Sequence, residues 1–189
     1  MSDTEEALKV WMEALYDYHL PRWEELPDID LYMDQVITLI DRYLSPLVEN
    51  SDGHIITAAM INNYVKLNIM PKPNKKRYER IHLAYLIVIT ILKQVLLISE
   101  VKDGIFLQCN IDDIHDAYDL FCDRQETALR SMIDQSLSRN SDQKLTLSTV
   151  DPNRLGLHMA CVSFAGKIFT EKIISLHMQK NLNKEKKVQ

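Results

Sequence analysis

Five cations fall within nine residues of this chain: Lys72, Lys75, Lys76, Arg77 and Arg80. Such a cluster suits contact with a polyanion, because each cation that neutralises a phosphate releases a condensed counterion. Just ahead of it stand Asn62, Asn63 and Lys66. An asparagine amide can bond an adenine edge at two points, and a lysine can reach phosphate or guanine. A second group offers different chemistry. Asp112, His115, Asp116 and Asp119 recur at helical three- and four-residue spacings, and carboxylate and imidazole ligands can hold a divalent ion. A metal centre normally draws ligands from a second element, so a solvated acidic face is the expected reading and no metal is assigned. Nothing resembles a phosphate-cradling glycine loop, a GxSxG elbow or an HExxH pair. No enzyme activity and no cofactor are expected.

The elements that would position these residues are helices. Only four Gly and six Pro punctuate 189 residues, which argues against a turn-rich all-β fold. The segment from Glu5 to His19 places Leu8, Trp11, Met12, Leu15 and Tyr18 on one helical face. Pro21 ends it, and the proline-bounded stretch Leu20–Pro27 reads as an ordered connector anchored by Trp23. A second helix is expected from Asp28 or Asp30, either of which can cap it, with Met33, Val36, Ile37, Ile40, Tyr43, Leu44 and Leu47 as its buried stripe.

Thr57 can cap a third helix to about Leu67. Its apolar face would be Met60, Ile61, Tyr64 and Leu67, leaving Asn62, Asn63 and Lys66 outward. Asn68 can take the left-handed position at its end, and Pro71 and Pro73 prevent continuation. A helix near Ile81–Leu96 is apolar on almost every side and should be the central buried element. Ser99 can cap a short helix closed near Gly104. A long helix is expected over Ile111–Leu137. Residues 138–150 read as a loop, and Asp151 can cap a last helix to about Met178, with Pro152 at its first position. The small residues Gly156, Ala160, Ala165 and Gly166 suit close helix approach, within a bundle or at a dimer seam. The chain ends in a polar tail.

Charge is uneven along the chain. The net −5 comprises −10 over residues 1–56, +5 over 57–105, −4 over 106–150 and +4 over 151–189. Screening confines each patch to about 8–10 Å, so a locally basic segment can bind a polyanion on an acidic protein. Cys109, Cys122 and Cys161 share no metal-ligand spacing and leave no complete disulfide set, which points to a reducing compartment. The acidic N-terminus is unlike a signal peptide. The longest apolar run, Ile81–Leu92, falls short of the roughly 20 residues that span a bilayer. A cytoplasmic location without membrane contact is expected.

The segment Thr57–Val101 carries the most information: a short capped helix, a proline-bounded basic loop, a long apolar helix and a further capped helix. That order has the logic of a winged helix-turn-helix, with a short helix in the major groove and a basic loop on neighbouring phosphates. ITAAMINNYVKLNIMPKP (Ile56–Pro73) resembles the opening of the MerR-type winged helix-turn-helix. Tyr64 falls on that family's helix tyrosine, Ile69-Met70-Pro71 on its turn, and Arg77-Tyr78 on its wing. The residues after His82 resemble its leucine-rich helix, and ISEVKDGI (Ile98–Ile105) its Ser-x-x-Glu-Ile helix. The family's usual arginine two places before the tyrosine is Asn62 here, and its turn glycine is Asn68. The chain is also similar to a bacterial domain-of-unknown-function family, number eighteen thirty-six, through LPRWEELPDIDLYMDQVITLI and MINNYVKLNIMPKPNKKRY. That likeness implies a bacterial, Gram-positive source and no established activity.

The expected architecture is all-α, with a MerR-like winged helix-turn-helix embedded in a helical bundle. Residues 1–49 would brace it, 50–105 form it, 106–180 dimerise or sense, and 181–189 trail as a tail. The expected function is a transcription regulator that binds double-stranded DNA as a homodimer and answers to a small-molecule or protein effector. Its contact set would be Thr57, Asn62, Asn63, Lys66, Lys72, Lys75, Lys76, Arg77 and Arg80. The alternative is a protein-interaction module on the same scaffold without DNA. Interruption of the basic face by Glu24, Glu25 or Asp28 would favour that alternative.

Overall fold

The computed structural model describes residues 3–48, 53–137, 151 and 154–185. The described residues are all-α, with seven helices and two isolated antiparallel β-bridges. The helices are α1 (Asp3–Tyr16), α2 (Met33–Leu44), α3 (Ala58–Lys66), α4 (Arg80–Leu92), α5 (Ile98–Ile111), α6 (Ile114–Ser136) and α7 (Leu155–Glu185). A single 3-10 turn, Trp23–Glu25, lies between α1 and α2.

As expected from its apolar sequence, α4 is the central element. Nine of its thirteen residues are buried, and it packs on α2, α5, α6 and α7. The most extensive pairing is α6 with α7, and α1 covers both. Small residues permit that approach. Ala165 is fully buried, and a Cβ on Gly166 would meet the Met132 side chain at 3.4 Å. One continuous hydrophobic cluster joins residues from α1 through α7, and α5 spans the boundary expected at 105/106.

Several boundaries differ from the sequence expectation, each for a local reason. Neither Asp28 nor Asp30 caps α2. Leu31 is instead extended and exchanges both backbone hydrogen bonds with Tyr78, at 2.8 and 2.9 Å. The helix therefore starts only at Met33, and the Tyr32 N–H is taken by the Gln35 side-chain oxygen at 2.8 Å. Far from closing at Gly104, α5 runs through it to Ile111. A mid-helix glycine costs about 1 kcal/mol, which the buried Val101 and packed Ile98 and Ile105 offset. The helix expected from Ile111 is interrupted. Asp112 is extended, and Asp113 caps α6 by accepting the Asp116 N–H at 3.1 Å. The last helix continues past Met178 to Glu185. The loop expected over 138–150, the first-turn role of Pro152 and residues 186–189 of the tail lie outside the described residues.

The Leu20–Pro27 connector is indeed ordered, and α6 holds it. The Leu20 N–H donates to Glu126 at 2.9 Å, Tyr118 Oη donates to the Pro21 carbonyl at 2.7 Å, and the Trp23 N–H donates to Asp119 at 2.7 Å. Arg22 bridges Glu126 at 2.6 Å and Asp123 at 2.7 Å. The acidic face of α6 is thus only partly solvated: Asp119, Asp123 and the unforeseen Glu126 grip the preceding chain. Burial alone would raise the Glu126 pKa, but bonds from Arg22 and the Leu20 amide bring it below its ordinary value.

Candidate nucleic-acid interface

Helix α3 forms because Thr57 closes its first turn: Thr57 Oγ1 accepts the Met60 N–H at 3.3 Å. Ile61 and Tyr64 are buried and fix the inward face. Burial pushes the Tyr64 hydroxyl pKa up, in keeping with a core role. Leu67, expected on that face, is 41 % exposed, because the helix ends there. Asn68 follows with φ 53°, the left-handed residue anticipated from its type. Asn62, Asn63 and Lys66 are all exposed. The last turn is tied to α5, where Lys102 Nζ donates to the Leu67 carbonyl at 3.0 Å.

The basic loop is a miniature hairpin. Asn74 and Arg77 form an antiparallel bridge, with the Arg77 N–H donating to the Asn74 carbonyl at 2.8 Å. The two residues at its tip, Lys75 and Lys76, both have positive φ, 46° and 62°. Two consecutive left-handed residues are the signature of a type I′ turn, which usually takes Asn-Gly. A side chain with a Cβ costs roughly 1–2 kcal/mol in that region. Two lysines occupy it here, and both are exposed. Immediately after the hairpin, Tyr78 is buried and pairs with Leu31. The tip is therefore fixed to the chain that enters α2.

The six cations of the expected contact set fall into three cases. Lys66, Lys72, Lys75 and Lys76 are exposed and make no ion pair among the described residues. Arg77 stacks on the Tyr32 ring, 3.7 Å from its centroid. Arg80 stands apart. It begins α4, its side chain is only 16 % exposed, and it bonds Glu24 at 2.9 Å with Asp28 at 3.8 Å. Glu24 of the connector and Asp28 just after it thus claim one end of the basic segment. Nearby His82 is buried, and its Nδ1 accepts the Glu79 N–H at 2.9 Å. Burial pushes its pKa down, against smaller opposing effects from Glu79 and a Lys72 backbone group.

The group Asp112, His115, Asp116 and Asp119 is dispersed, with Asp112 at the end of α5 and the other three on α6. Asp112 pairs with Arg154 at 2.8 Å, and Asp119 serves Trp23. Asp113, His115 and Asp116 do bring donor atoms within 4.8 Å of one another at the start of α6. Asp113 already caps the helix there. Cys122 and Cys161 are fully buried thiols whose pKa values burial pushes up to about 12, consistent with apolar packing roles.

The described residues form a small helical protein, with the hairpin between α3 and α4, and comparison supplies a family. The family described as Domain of unknown function (DUF1836) matches residues 21–121, just over half the chain. The protein belongs to that family. The match begins at Pro21 in the connector, includes α2 to α5 with the hairpin, and ends at Phe121 on α6. No curated protein and no solved structure matches the chain. Among the described residues, no helix is long and apolar enough to cross a membrane.

Proposed function

We propose that this protein is a sequence-specific DNA-binding regulator that acts as a homodimer. In this reading α3 enters the major groove and presents Asn62, Asn63 and Lys66 to base edges and phosphates. The Lys72–Arg77 hairpin lies on the adjoining backbone as a short wing. The observation that carries the reading is the strained lysine turn. Two cations at left-handed positions, where Asn-Gly would be cheaper, are hard to explain by stability, and strain of this kind concentrates at functional sites.

The order of elements supports a winged helix-turn-helix of MerR type: an extended Leu31, α2, α3, a hairpin, an extended Tyr78 that pairs back to Leu31, then α4 and α5. The nine residues of α3 make a helix about 13 Å long at 1.5 Å per residue. A helix so short reads few bases, and a dimer on two half-sites supplies the missing specificity. The wing lysines position the protein and the asparagines specify the site.

The test is selection of a bound duplex from a randomised pool, followed by Asn62→Ala with Asn63→Ala. The reading expects the variant to lose about tenfold or more of its preference for the selected duplex over a scrambled one, since a bidentate contact discriminates by about 1–3 kcal/mol. Equal preference in variant and parent would count against α3 as the reading helix.

A second reading, a protein-interaction module without DNA, is favoured by one observation. Glu24 and Asp28 interrupt the basic segment at Arg80. It expects no duplex binding even at low salt.

A further inference from the structure

A cleft of about 650 Å³ lies between α4, α5, α6 and α7. That volume is in the range of pockets that enclose small molecules. Its walls are largely aliphatic and aromatic, with Tyr85, Val88, Phe121 and Leu157 among them. Among the described residues its charged lining groups are all of one sign: Glu100 and Asp103 on α5, with no lysine, arginine or histidine. Both acids are exposed. Gln108, also in the lining, holds a side-chain oxygen that is shielded from solvent and has no hydrogen-bond partner among the described residues. An acceptor left in that state costs about 1–3 kcal/mol, which a donor would relieve.

These features specify a complementary molecule. An apolar body suits the walls, a positive charge suits two carboxylates that have no ion-pair partner among the described residues, and N–H donors suit the Gln108 oxygen. We propose that this cleft is a binding site for a small amphipathic amine, protonated, with an aromatic or aliphatic body. Electrostatic complementarity excludes the matching carboxylic acid, which would face Glu100 and Asp103.

The helix α5 also gives such a ligand a route to the candidate interface. One set of α5 residues lines the cleft, while Lys102 holds the C-terminal carbonyl of α3. Occupancy that biases α5 would alter the setting of α3. This regulatory step rests on the DNA-binding reading; the ligand site does not.

The experiment is calorimetric titration of the full chain with three probes of one shape: 4-phenylbutylammonium, 4-phenylbutanol and 4-phenylbutyrate. The proposal expects saturable binding of the amine, at least tenfold tighter than the carboxylate, with the alcohol between them. Glu100→Gln with Asp103→Asn should erase the preference for the amine and leave binding of the alcohol within about twofold. Glu100→Gln keeps an oxygen for the Leu97 N–H that Glu100 now accepts at 2.8 Å, so α5 retains its start. Absence of saturable binding would overturn the site. An unchanged preference in the double variant would overturn the ligand class. Amine binding that strengthens on dilution of the protein, with no charge preference, would identify the cleft as an interface with a second copy and overturn the proposal. Amine binding that leaves duplex affinity unchanged, in a protein that does bind the duplex, would remove the coupling through Lys102 alone.

Discussion

Arg80 donates to Glu24 at 2.9 Å across 56 residues of sequence. This contact takes one of the five clustered cations away from the hairpin and neutralises it against the connector. The lysines at the tip have no such partner among the described residues. A duplex should therefore feel Lys75 and Lys76 much more than Arg80. Lys75→Ala with Lys76→Ala should weaken binding and flatten the slope of log affinity against log salt by about 1.8, at roughly 0.9 per phosphate lost. Arg80→Ala should leave that slope nearly unchanged. Glu24→Gln should steepen it slightly by releasing Arg80. Equal losses from Arg80→Ala and from the lysine pair, measured by anisotropy across a salt series, would show that the ion pair opens on binding.

The lysine turn predicts a trade between stability and binding. Lys75→Asn with Lys76→Gly restores the residue types that a type I′ turn prefers. It should stabilise the protein by about 1 kcal/mol or more, since the left-handed positions no longer oppose a long side chain. Thermal melting would register the gain. The same variant should bind a duplex more weakly. A variant that is no more stable would contradict the assignment of strain to this turn.

Glu126 predicts the largest single loss of stability. It is 4 % exposed and accepts from the Leu20 amide, Arg22 and Arg130. Arg22→Met leaves that carboxylate buried beside a half-exposed Arg130, and should cost about 3 kcal/mol. Arg22→Met combined with Glu126→Leu should recover a good part of it, because the uncompensated charge is gone. Urea midpoints of the two variants give the comparison, and a double variant worse than the single one would contradict it.

Two histidines set the expected dependence on pH. Burial holds His82 below its ordinary value of 6.5, and burial with repulsion from Arg124 does the same for His158. Between each lowered value and 6.5 the unfolded chain binds a proton that the folded chain refuses. Stability is therefore fully present above pH 6.5 and falls as pH drops below it. Glu126 adds a further loss in the acid range, below its ordinary 4.5. His82→Gln with His158→Gln should shrink the drop in urea midpoint between about pH 7.5 and 5.5. An equal drop in parent and variant would show that other groups carry it.

Much of this arrangement was legible in the sequence because it depends on local rules. The Thr57 cap, the left-handed Asn68, the buried Tyr64 and the apolar α4 all follow from residue types at helical spacing. The misses share a different cause: pairing at long range. Leu31 is extended because Tyr78, 47 residues later, completes its hydrogen bonds. No local signal marks that, and the start of α2 moved accordingly. Glu126 reads as one more acid on a charged helix until the connector folds onto it. Glu24 and Asp28 could be named in advance as acids able to interrupt the basic face, but that Arg80 is the cation they take is visible only in the fold. The strained turn at Lys75 and Lys76 is hidden for the same reason, because it closes a hairpin whose far end is held by the Leu31–Tyr78 pair. Nothing in the lysines themselves announces positive φ.

Engagement of duplex DNA by α3 and the lysine hairpin is the proposal on which the other binding predictions depend. Fluorescence anisotropy of the purified protein with duplex selected from a randomised pool, at about 50 and 200 mM salt, addresses it directly. A short sequence with two related half-sites should be bound at the lower salt and weakened about tenfold or more at the higher. A folded, helical protein that binds no duplex at the lower salt would contradict it.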